Sequence, residues 1–312
     1  MNRLIAWLPD RIDRRVRIAA WVSFVLNVVI IGTGGAVRLT GSGLGCSDWP
    51  VCVPGSLVPT PEMGIHGVIE FGNRTISGPV LLAAIAVVLF VWRIRRERRD
   101  LFVPAVLVLV LVIVQALVGA FVVWQELAAT LVGFHYTVSV VIVCITAAFL
   151  ARMVEPAGAR ELAVPRAFAV LTRITGVVLA VTVVVGVMTT ASGPHSGDAN
   201  VVRTGVDAEL LAHVHAWPGY VLAALLATLV GWAALKRLRP LRWLLALLAV
   251  TLVQVAVGVY QARSGLPPLA VGVHMILAAL AAATMTVVVL RIKRPVTTDA
   301  APDAAAAAAS AR

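Results

Sequence analysis

The sequence predicts an all-α polytopic membrane protein. Eight transmembrane helices form two tandem four-helix bundles with pseudo-twofold symmetry along the membrane normal. Three observations carry this. Of 312 residues, 60% are hydrophobic and 13% charged, with a mean hydropathy of +0.96, which is more apolar surface than a soluble domain can cover. One pattern occurs twice: Gln115-Ala-Leu-Val-Gly119 with Gly133-Phe-His135, and Gln254-Val-Ala-Val-Gly258 with Gly272-Val-His274, every residue 139 positions from its counterpart. All but four of the 26 Lys and Arg residues fall in five segments: Arg3–Arg17, Arg93–Arg99, Arg152–Arg173, Lys236–Arg242 and Arg291–Arg312.

A spanning helix needs about 20 apolar residues. Eight stretches meet this, near 18–37, 66–91, 101–124, 131–151, 169–190, 210–234, 242–261 and 270–290. Backbone groups in hydrocarbon must be paired within the segment, which helices achieve, and no alternating pattern suggests a barrel. The first stretch follows a basic segment, as in a signal peptide. It is too long for a typical apolar leader core and lacks a small-residue cleavage site, so it is read as retained.

The basic segments alternate along the chain, the positive-inside pattern for a cell-membrane protein with both termini cytoplasmic. They interact with anionic headgroups of the lipid bilayer; no nucleic acid partner is expected. Residues 1–155 make an N-terminal bundle and 165–295 a C-terminal one. In each, the first outer loop is long (38–64, 191–208) and the second short (125–130, 262–269). An even number of spans per half gives both copies one orientation, unlike inverted-repeat transporters. The Ala-rich tail, 297–312, is expected to be disordered.

Spans two, four, six and eight begin outside, each with a histidine: His66, His135, His213 or His215, and His274. One histidine at a helix end is commonly interfacial. Four at equivalent ends, two inside a repeat, point to ligands for something held between helices. Zinc wants three or four ligands around a small ion, and copper adds thiolate or thioether. Two imidazoles per bundle suit one flat porphyrin per half. Gly67, Gly119, Gly133, Gly258 and Gly272 would let a wide ring approach, although small residues also serve plain helix packing. Arg38, Arg74, Arg203 and Arg263 are the outward cations, placed to meet carboxylates or to snorkel. Arg74 leads, since Glu70 stands four residues before it on one helical face.

Arg38-Leu-Thr-Gly-Ser-Gly-Leu-Gly-Cys46-Ser-Asp-Trp-Pro-Val-Cys52 and Ile69-Glu70-Phe-Gly-Asn73-Arg74 resemble the heme A synthase family over residues 18–290. The resemblance implies oxidation of the C8 methyl of heme O to a formyl group, with heme B as redox cofactor. It implies the C-terminal half as the heme B half and the N-terminal half as the substrate half. Glu70 matches the family's catalytic glutamate, His135 and His274 its fourth- and eighth-helix ligands, and Cys46 and Cys52 its outer-loop pair. Expected partners are the heme O synthase (a protoheme farnesyltransferase) and a membrane electron acceptor; a homo-oligomer is admitted. A non-catalytic diheme cytochrome b for electron transfer is the alternative, which the Cys-loop and Glu-Phe-Gly-Asn-Arg motifs disfavour.

Many members have histidine where this chain has Asn73. His66 lies seven residues earlier, about 10 Å along the helix, and is expected to replace that ligand, with a cap or interfacial role as the alternative. The family's His-Ala run favours His215 over His213; two residues apart, they face different sides. The 139 spacing also pairs Pro79 with Pro218 and Glu70 with Glu209, and sets His213 against Arg74. The two prolines should bend their helices. A Cys46–Cys52 disulfide closing the loop is the structural reading, with a redox role as the alternative. Cys144 reads as an apolar filler and His195 as a surface residue with a weak metal alternative. The glycines of 32–45 lack the Gly-Lys-Ser/Thr of a nucleotide loop.

Overall fold

A computed structural model describes residues 7–195, 197 and 205–296. Arg203 and the 297–312 tail lie outside them. Among the described residues there are eight long helices: α1 (Arg14–Leu39), α2 (Gly64–Val91), α3 (Arg99–Trp124), α4 (Ala129–Met153), α5 (Arg166–Ser192), α6 (Ala208–Leu235), α7 (Leu241–Arg263) and α8 (Pro268–Arg291). Each contains one predicted span and is long and apolar enough to cross a membrane. The chain is therefore an all-α, multi-pass membrane protein.

Local chemistry sets the helix ends. The Asp13 carboxylate accepts from Arg15 N and Val16 N at the start of α1, and Asp207 from Glu209 N and Leu210 N at the start of α6, satisfying donors the first turn leaves unpaired. Before α2, a 3₁₀ turn (Pro61–Met63) ends at Gly64 with φ +56°, a left-handed conformation that glycine adopts without Cβ strain. Pro79 and Pro218 lie inside α2 and α6.

Helices α1 to α4 contact one another in a closed cycle, as do α5 to α8, and α1, α4, α5 and α8 form the boundary between the two sets. Each set has its own apolar core, with Val16, Val91, Leu101 and Phe149 in the first, and Phe168, Leu226, Leu244 and Val288 in the second. Between them lie Ile31, Val143, Ala147, Ala279 and Ala283, whose small members allow close helix approach. Leu82, Val177, Leu252 and Leu269 lie exposed on the outer faces, as lipid-facing positions should.

At the basic end the linker between the sets carries a short strand β1 (Arg160–Leu162), which pairs antiparallel with β2 (Lys293–Pro295) after α8. Glu155, 7% exposed, receives Arg160, Arg291 and Arg239, the last at 2.7 Å. One carboxylate thus ties the end of α4 to the α6–α7 turn and the end of α8. None of this was legible in the sequence.

Candidate heme-binding site

The opposite end carries the disulfide loop and the histidines. Cys46 and Cys52 are bonded and buried. Glu70 (4% exposed) accepts from Cys46 N at 2.6 Å and pairs with Arg74. Arg74 also donates to the carbonyls of Asp48 (2.6 Å), Val51 (3.2 Å) and Cys46 (2.8 Å). With Nε and Nη2 on Glu70, all five guanidinium N–H groups are engaged. Arg74 thereby clamps the loop onto α2.

The loop lies directly on that helix. A Cβ at Gly45 would come within 2.4 Å of the His66 carbonyl oxygen, so no other residue fits there. Trp49 meets Trp124 edge-on at the end of α3, ring centroids 6.0 Å apart. Gly43 N donates to Gly197 O at 3.0 Å, joining the two long loops. Arg38 donates to His195 O and Thr190 O, and His195 bonds Leu266 O through Nε2. His195 is therefore a loop fastener. Arg263 is exposed.

Three histidines share one setting. The Nδ1 atoms of His135, His215 and His274 are buried with no hydrogen-bond partner within 3.5 Å. Each ring rests on a glycine of a neighbouring helix. A Cβ at Gly119 would lie 3.6 Å from His135 Cε1, at Gly258 3.0 Å from His274 Cε1 and at Gly186 2.8 Å from His215 Cε1. His215 and His274 face each other with ring centroids 6.3 Å apart and planes at 73°. Among the described residues no group of three or more His, Cys, Asp or Glu could hold a compact metal ion.

His213 is exposed and bonds Glu209 O through Nδ1, so His215 is the α6 histidine that meets His274. His66 is exposed, with Nδ1 on Ser42 Oγ at 2.8 Å. No ring contact joins it to His135 among the described residues. Asn73 sits lower on α2, where its Oδ1 accepts from Thr33 Oγ1 at 2.8 Å. The sequence reading missed Gly186 and Thr33, whose roles depend on which helices become neighbours.

Eight apolar helices, three buried histidines resting on glycines of neighbouring helices and a disulfide-pinned loop define a polytopic membrane protein. Residues 17–193 match the COX15-CtaA model, described as cytochrome oxidase assembly protein, and the chain belongs to that family. It is 34% identical over 125 residues to a heme A synthase of Exiguobacterium sibiricum, covering 39% of this chain and 41% of the relative. It is 33% identical over 143 residues to a heme A synthase of Bacillus mycoides, covering 45% and 42%. The match thus spans about two fifths of the length of these curated relatives.

Proposed function

We propose that the chain is a heme A synthase, oxidising the C8 methyl of heme O to a formyl group. Two hydroxylations of one carbon followed by loss of water add one oxygen and remove two hydrogens overall. His215 and His274 would hold heme B in the C-terminal half, where it would carry electrons from the substrate toward the acceptor. His135 would hold the substrate in the N-terminal half. The outward placement of the disulfide loop, with both termini cytoplasmic, follows from the distribution of basic residues. Electrons pass to a membrane acceptor, and the heme O-producing farnesyltransferase supplies the substrate.

The observation that carries the reading is Glu70. It is a buried carboxylate in the same helix set as His135, fastened to the Cys46–Cys52 loop. An electron carrier would need it only to fasten the loop through Arg74. Glu70 would position water or hold a proton beside the reacting methyl, with Arg74 keeping it oriented. Cells making heme O and expressing the chain should yield heme A on pigment extraction. Heme bound to the protein with heme O unchanged would favour a diheme electron carrier, which the His215–His274 pair also fits.

A further inference from the structure

The two ligand-bearing helix sets are unequal. In the second, both facing helices offer an imidazole on a glycine seat: His215 of α6 on Gly186 of α5, and His274 of α8 on Gly258 of α7. In the first, His135 of α4 sits on Gly119 of α3, each 139 positions before its counterpart. The α2 residue seated against a glycine of α1 is Asn73: a Cβ at Gly34 would lie 3.8 Å from Asn73 Oδ1. The residue 139 positions before His215 is Ile76, which cannot ligate. His66 sits about 10 Å higher, in the first turn of α2, with Nδ1 held by the fully buried Ser42.

We infer that the N-terminal site offers one imidazole, His135, and faces it with the Asn73 amide. On this inference His66 does not take the second ligand position. An amide is a poor iron ligand and a good hydrogen-bond donor. Thr33 engages Oδ1, which leaves the Asn73 NH₂ free to donate to a bound group. A porphyrin substrate here would be held by His135 alone, leaving room for a small neutral ligand beside the Asn73 amide. In the C-terminal half His215 and His274 would both hold the group, which suits electron transfer. The inference rests on the proposed reading that each half takes an iron porphyrin.

The test uses the full-length chain purified in detergent and loaded with hemin. After reduction, carbon monoxide should bind one of the two hemes, and the ferric protein should show one high-spin and one low-spin signal. Asn73→His should abolish the carbon monoxide adduct and turn the high-spin signal low-spin. Asn73→Val should keep the adduct and raise its C–O stretching frequency, because the amide donor is gone. His66→Ala should leave every signal as in the parent chain. Two low-spin hemes inert to carbon monoxide, a spin change in His66→Ala, or an unmoved C–O stretch in Asn73→Val each overturn the inference while leaving heme binding intact. Failure of the parent chain to take up heme overturns the functional reading itself.

Discussion

The Tyr136 hydroxyl donates to the Met275 carbonyl at 2.9 Å across the boundary between the helix sets, and the two residues are 139 positions apart, the spacing of the repeat. Each follows its ligand candidate, His135 or His274. The turns that carry these histidines are thus joined directly. Tyr136→Phe removes the donor and leaves the packing. It should lower stability by about 1 kcal/mol with heme content unchanged, as read by thermal unfolding in detergent and by the absorbance of bound heme.

The glycine seats predict a graded series. Alanine at Gly186 or Gly258 brings a methyl to 2.8 or 3.0 Å from a histidine ring, inside van der Waals contact. Gly186→Ala and Gly258→Ala should each reduce heme occupancy of the C-terminal site several-fold. Gly119→Ala, at 3.6 Å, should be tolerated. Equal occupancy in all three variants would show that the seats do not set ring position.

Glu70 and Arg74 separate catalysis from loop fastening. Glu70→Gln retains a carbonyl oxygen for Cys46 N, so heme should stay bound while formyl product falls about a hundredfold or more, the lower range for loss of a positioned acid–base group. Arg74→Lys replaces five N–H donors by three and should loosen the 46–52 loop. Limited proteolysis there should accelerate. A Glu70→Gln variant with full activity would reduce Glu70 to a structural partner of Arg74.

At the other end, Glu155→Ala leaves Arg160, Arg239 and Arg291 facing one another without their shared carboxylate. Breaking a buried ion pair costs about 3–5 kcal/mol, so the variant should unfold at markedly lower temperature. Its folded fraction should keep the parental heme spectrum, since this cluster lies at the end opposite the histidines.

Much of this was legible in the sequence because it is written locally. Hydropathy is a one-dimensional signal, so all eight spans could be placed, and the repeat singled out His135 and His274 without any structure. Cys46 and Cys52 stand in one short motif and Glu70 in another. What escaped depends on neighbours distant in sequence. His215 is distinguished from His213 by Gly186 and His274, and Arg74 is committed by carbonyls more than 20 residues away. Asn73, as a poor iron ligand, reads from the sequence as a hydrogen-bonding residue, but its partner Thr33 on α1 does not. Glu155 gathers arginines from three separate segments, and no local pattern announces that.

Oxidation of the heme methyl is the central claim, and isolated membranes containing the chain test it most directly. They retain their native electron acceptors and can be supplied with heme O, then extracted for mass analysis of the hemes. The account predicts a product one oxygen heavier and two hydrogens lighter than heme O, and far less of it from Glu70→Gln membranes. Heme O recovered unchanged from membranes whose protein carries bound heme would contradict it.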